Sequence, residues 1–236
     1  MKSVLVLQHT EAEFLGLIED HLEGRGIGFQ YLRPFSGTIL PPDAGEADGL
    51  IVLGGGQWGS ESQPRLPTLE AEVDLARDFL AKGRPVIGFA LGAQILARAS
   101  GGGAATSELE FGVLRARRTV ADALGGHLPE VFPLAVYMRD RPLPPAAATI
   151  LATDDAGGPA VFQIGKNAFG FTGHPGAKTG MIEDLVMEFG EWHEDVSAQM
   201  DAVRRAQSEI EAALISLMAG LMAVTGLMRD GSSKPD

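Results

Sequence analysis

Between an apolar run and a helical one, the chain reads Gly88-Phe89-Ala90-Leu91-Gly92-Ala93-Gln94. Glycines two residues either side of a central position, at a strand-to-helix junction, form the frame that raises a nucleophile on a sharp turn. The glycines let backbone pass where a Cβ would collide, and the helix N-terminus behind offers N–H groups to a developing oxyanion. Acyl transfer is the chemistry such a turn serves. Here the central residue is Ala90, and a methyl group cannot attack a carbonyl. A second glycine-rich stretch, Gly54-Gly55-Gly56, follows the apolar run Gly49 to Leu53. It lacks both the spacing and the lysine of a phosphate-binding loop. Just beyond it, Trp58 is a candidate lid over a cleft or a packing residue.

The chain contains no cysteine, which removes every thiol nucleophile and thiolate metal ligand. His21, His127 and His193 stand without acidic residues at ligand spacing, so no metal site and no cofactor are expected. His9, with Gln8, ends the first apolar run and reads as a strand cap. Glu191, His193, Glu194 and Asp195 read as a solvated acidic cluster.

The elements that must position these residues follow from apolar periodicity. Val4 to Leu7 predicts a strand and Glu11 to Glu23 a helix, through Phe14, Leu15, Ile18 and Leu22. Phe29 to Leu32 and Gly49 to Leu53 are the next strands. Leu66 to Lys82 predicts an amphipathic helix, Pro85 to Phe89 a buried strand, and Ala93 to Ser100 a helix. Continuously apolar strands alternating with helices indicate a mostly parallel central sheet covered on both faces. The shorter runs Phe111 to Val120, Ala148 to Ala152, Ala160 to Ile164 and Ala168 to Thr172 suggest a small antiparallel extension. From Ala177 the pattern is helical, through Met181 to Trp192 and Val196 to about Met228.

Acidic residues outnumber basic ones by 31 to 19, a net charge of -12 that repels phosphate backbones and anionic membranes. No basic stripe offsets it, so neither nucleic acid nor a membrane is an expected partner. The apolar stretch Ala212 to Met228 falls short of the ~20 residues of a membrane span. A cytoplasmic protein is the expectation. The same stretch carries Leu214, Leu217, Met218, Leu221, Met222, Leu227 and Met228 at helical spacing, which suits packing on the parent domain or a homodimer surface through 214–228.

The elbow segment resembles the G-x-C-x-G-x-Q signature of class I glutamine amidotransferases, with Ala90 at the cysteine. Three more stretches follow in that family's order. Asp48 to Gly56 is similar to its strand and oxyanion loop, Glu110-Phe111-Gly112 to a short E-x-G step, and Phe169 to Gly176 to the segment carrying His-Pro-Glu. The similarity spans about residues 3 to 190 and is nearest to stand-alone proteins resembling the glutaminase part of GMP synthase.

The resemblance implies an α/β, flavodoxin-like fold over residues 1–192. A helical extension over 193–229 would pack on that domain or on a partner, ahead of a disordered tail, 230–236. It assigns the triad histidine to His174 and the triad glutamate to Gly176, where it is lost. Oxyanion donors fall on the backbone of Gly55, Gly56 and Leu91, and a substrate-binding role on Gln94. Trp58 and Thr172 would line the cleft. Many relatives carry a substrate-contacting histidine near Val136 to Pro142, and none stands there in this chain. These substitutions predict a protein without conventional glutaminase activity, binding glutamine, another amino acid or a partner enzyme. The alternatives are an enzyme using His174 with water or with Thr172, Ser60 or Glu61, and a purely structural subunit.

Overall fold

The computed structural model describes residues 1–189 and 195–228. Glu191, His193 and Glu194 of the acidic cluster, and the tail from residue 229 on, lie outside them.

Eleven strands form in chain order: β1 Ser3–Leu7, β2 Gly28–Leu32, β3 Gly49–Val52, β4 Val86–Phe89, β5 Gly103–Ala105, β6 Glu110–Arg118, β7 Val131–Met138, β8 Arg141–Leu143, β9 Thr149–Thr153, β10 Pro159–Ile164 and β11 Ala168–Phe171. The helices are α1 Ile18–Glu23, α2 Leu69–Ala81, α3 Leu91–Ala99, α4 Thr179–Phe189 and α5 Val196–Thr225. Nine strands share one sheet in the order β2-β1-β3-β4-β11-β10-β9-β6-β7, and β5 pairs with β8 apart from it. The first five strands in that order are parallel and the remaining pairings antiparallel. This is the mostly parallel α/β sheet with an antiparallel extension that the sequence predicts.

Strand alternation divides the core. Leu7, Leu50, Val52 and Val86 face α2 and α3, whereas Val4, Val6, Ile51 and Ile87 face the side covered by α1 and α5. At the far end the sheet curls back, and the Ala135 carbonyl of β7 accepts the His174 N–H at 2.7 Å. The histidine after β11 is therefore held from both ends of the antiparallel half.

Three sequence expectations need correcting. The helix predicted over Glu11 to Glu23 forms only from Ile18. Gly16 turns the chain at φ 62, with its backbone so close to the Gly176 carbonyl that a Cβ would collide with it. The Leu17 N–H then bonds that carbonyl at 2.9 Å, so residues 10–17 form a strap across the ends of the strands. Second, β7 forms between Val120 and Ala148, where the apolar pattern predicts no strand. Pro133 lies inside it, and the proline is tolerated because β7 has a ladder partner on one side only.

Third, Ala168 to Thr172, expected in the antiparallel extension, forms β11, which pairs parallel to β4 and antiparallel to β10. Of the two destinations expected for 214–228, most of its apolar residues take the parent domain. Leu214, Leu217, Met218, Leu221, Met222 and Leu227 are all 2% exposed or less, packed within this chain's own core. Only Ile215, at 62%, and Met228, at 44%, are exposed large apolar residues there. Helix α5 is long and apolar enough to span a membrane by composition, yet its apolar face lies on β6 and β7.

Leu217→Ala should consequently lower unfolding free energy by about 2–5 kcal/mol, whereas Ile215→Ala should change it by less than about 0.5 kcal/mol. Urea denaturation of the two variants checks this. Equal effects would mean that α5 does not pack on the sheet as described.

Candidate functional site

Parallel strands deliver their carboxyl ends to one edge of the sheet, and β1, β3, β4 and β11 bring four candidate segments there together. The elbow follows β4. Ala90 sits at φ 50 and ψ -111, a backbone region that L residues rarely adopt, directly ahead of α3. Its N–H donates to the Phe171 carbonyl at 2.9 Å, which ties the turn to β11. Gly92 explains why the frame needs glycine, because a Cβ there would drive into the Val52 carbonyl. Ala90 itself is 2% exposed.

His174 lies three residues past Phe171, the last residue of β11, which pairs in register with β4 through Phe171 and Phe89. Its ring is tilted 38° against Phe89 at 5.1 Å between centroids. The retained histidine and the elbow are thus neighbours. Its two nitrogens, however, are both engaged by backbone. The Gly176 N–H donates to Nδ1 at 3.1 Å, which makes Nδ1 the acceptor and leaves the proton on Nε2. Nε2 in turn lies 2.9 Å from the Phe14 carbonyl of the strap. Burial disfavours the imidazolium strongly enough to lower the pKa to about 4, against a small opposing effect of the Phe14 carbonyl. A neutral ring with both nitrogens bonded is poorly placed to take a proton.

Gly176 cannot simply regain a glutamate. A Cβ there would stand 2.7 Å from Cγ1 of Ile18, on the helix that follows the strap. Leu91 begins α3 with its side chain against Gly55, and Gly56 packs against Thr10 and Phe189. Gln94 is fully buried with its amide engaged: Oε1 accepts from Ser60 Oγ at 2.6 Å, and Nε2 donates to the carbonyls of Arg139 and Asp140 at 2.8 and 3.2 Å. It ties the elbow helix to two loops. Thr172 is buried, its hydroxyl donating to the Pro159 carbonyl at 2.5 Å, so it faces β10. The Glu61 carboxylate pairs with Arg98. Trp58 lies apart from His174, in a hollow beside His9.

Sequence reading missed a second polar cluster at the ends of β1 and β3. Glu13, on the strap, is 4% exposed, and its carboxylate accepts the Gly56 N–H at 3.3 Å. Burial pushes its pKa up to about 7, partly offset by the Gly56 and Gly54 N–H groups and by His9. His9, taken from sequence as a strand cap, reaches the Gly54 carbonyl through Nδ1 and Glu72 through Nε2, both at 2.7 Å. Burial opposes charge on that ring, but Glu72 and the Gly54 carbonyl outweigh it and raise the pKa. The signal available in the sequence was polar residues inside otherwise apolar stretches, Glu72 on the buried face of α2 among them. Asp140 supplies a third anchor, at φ 61, accepting N–H groups of Glu61, Ser62 and Ser107 at 2.8, 2.9 and 3.3 Å. Burial works against its charge, yet the Ser62 hydroxyl and these N–H groups hold its carboxyl below the usual range. No group of histidines and carboxylates suited to a metal is present among the described residues.

The sheet order, the elbow and the adjoining histidine together define a class I glutamine amidotransferase architecture. No family model matches the sequence. The glutamine amidotransferase-like protein YfeJ of Salmonella typhimurium is 29% identical over 184 residues, 75% of this chain and 77% of that protein. A glutamine amidotransferase of Methylobacillus flagellatus superimposes with a TM-score of 0.83 at 25% identity, covering 100% of this chain and 99% of the other. One from Thermotoga maritima gives 0.82 at 23% identity, covering 95% and 98%, and supports the fold. In fold and in sequence the chain thus resembles the class I glutamine amidotransferase-like proteins.

His174 and Glu13 give opposite pH signatures. The His174 pKa falls from about 6.5 unfolded to about 4 folded, so its contribution is intact above pH 6.5 and is lost as pH drops towards 4. The Glu13 pKa rises from about 4.5 to about 7, so its contribution is intact below pH 4.5 and is lost as pH climbs through 7. Each shift corresponds to about 3 kcal/mol. Glu13→Gln should therefore stabilise the chain at pH 8 relative to pH 5, and His174→Phe should flatten the acid-side loss between pH 6.5 and 4. Urea melts between pH 4 and pH 8 test both, and unchanged pH profiles would contradict the assigned environments.

Proposed function

We propose that this glutamine amidotransferase-like chain does not hydrolyse glutamine by the thiol route and acts by binding, either to a small ligand such as an amino acid or to a partner enzyme. One observation carries the reading: the elbow holds a methyl group where the nucleophile belongs, beside a histidine whose nitrogens are both bonded to backbone. Loss of a triad nucleophile alone costs about 10⁶-fold in turnover. The loss of the orienting glutamate removes the group that would fix the imidazole for proton transfer and stabilise its charged form.

Replacement nucleophiles are poorly supported. The hydroxyls of Ser60 and Thr172 are bonded to Gln94 and to the Pro159 carbonyl. Water activation by His174 would need the strap to withdraw from Nε2 and the ring to regain basicity.

The test is ammonia release from glutamine by the purified chain, alongside Ala90→Cys and the double variant Ala90→Cys/Gly176→Glu. The unaltered chain should not exceed the buffer rate. Ala90→Cys should remain far below the ~1 s⁻¹ of an ordinary enzyme, and the double variant should fare no better because Ile18 obstructs position 176. Glutamine turnover near 1 s⁻¹ by the unaltered chain, abolished in His174→Ala, would refute the reading.

A further inference from the structure

A hollow of about 110 Å³ opens away from the elbow, beside the buried His9–Glu72 pair. Its walls come from three separate loops: Pro34 and Phe35 after β2, Trp58 after the glycine loop, and Leu66 and Pro67 ahead of α2. Strand β1 connects through α1 to β2 on one side, and its other neighbour β3 connects through α2 to β4, so the chain connections diverge between β1 and β3. The crevice outside the carboxyl ends of strands at such a reversal is where open α/β sheets bind ligands.

The chemistry of the floor narrows the occupant. His9 has its nitrogens on the Gly54 carbonyl and Glu72, and the Thr68 hydroxyl donates to the other Glu72 oxygen at 2.6 Å. The polar groups that reach the hollow are thus already bonded to each other. An ordered water needs two to four polar partners, which this floor does not offer. A charged ligand would lose its hydration and find the facing charges already paired. What remains is a set of flat apolar surfaces, an indole, a phenyl and two pyrrolidine rings. The volume is somewhat below that of an apolar cavity of about 150 Å³ known to hold benzene.

We propose that this hollow is a ligand site for a small molecule presenting an uncharged apolar group of about one ring. The site takes the ring between Trp58 and the two prolines, with Phe35 at the mouth. It is separate from the elbow, and the proposal stands whether or not the chain releases ammonia.

Fluorobenzene followed by ¹⁹F NMR on the full chain is the probe, with fluorobenzoate as its charged counterpart. Saturable broadening with a Kd on the order of 1 mM is expected, and fluorobenzoate should bind at least about tenfold more weakly. Leu66→Trp fills the hollow and should abolish the broadening. Phe35→Ala removes a side chain that is 42% exposed, so the fold survives, and binding should weaken by at least about threefold. If Leu66→Trp does not fold, the Phe35 variant decides. Equal affinity for both probes, or binding indifferent to Phe35→Ala, would overturn the proposal.

Discussion

The site depends on one backbone constraint, the turn at Ala90. A residue with a Cβ held at φ 50 is unfavourable, and such turns persist only where the surrounding structure over-determines them. Here the determination comes from both sides. Its N–H is fixed to the carbonyl ending β11, and α3 begins immediately after it and packs at Gly92 onto the end of β3. The turn is therefore a joint between three strands and a helix before it is a catalytic device. The side chain at its apex takes no part in those backbone contacts.

Around that joint, each buried titratable group has been given a partner within the chain. His174 is bonded by Phe14 and Gly176, Glu13 by Gly56, and His9 by Gly54 and Glu72. Most of these partners are backbone groups, so the polar atoms fix loop positions and present little to a substrate. The strap of residues 10–17 is central to this, since it supplies both Glu13 and the Phe14 carbonyl. Without these partners the same polar groups would be buried and unsatisfied, at about 1–3 kcal/mol each.

Much of this was legible in the residues. The glycine frame around position 90 and the run ending in Gly54-Gly55-Gly56 marked two of the parallel strands, β4 and β3, while β11 was read as part of the antiparallel extension although it pairs parallel to β4. What escaped were features set by tertiary contact. Phe14, Leu15, Ile18 and Leu22 carry helical spacing, but docking of the strap against residues 174–176 overrode that periodicity at Gly16. Pro133 disguised β7, although an edge strand can accept a proline. The apolar face of α5 looked the same whether its destination was a partner or its own sheet, because amphipathicity shows that a face is buried and not against what. Glu72 lies some sixty residues beyond His9 and Glu13, and no local pattern foretells that α2 will meet the segment after β1.

Were only residue 90 altered, the histidine would still be expected to face the elbow with an acceptor nitrogen free and a carboxylate behind it. Instead the residue that should orient the imidazole is Gly176, its N–H occupies Nδ1, and Ile18 fills the volume a longer side chain would need. Gly16 and Gly176 meet backbone to backbone, an approach closed to any pair bearing side chains. The strap and position 176 are therefore coupled: a side chain on Gly16 would meet the Gly176 carbonyl, and one on Gly176 would meet Ile18, so the segments before α1 and after β11 can lie this close only because both positions are glycine.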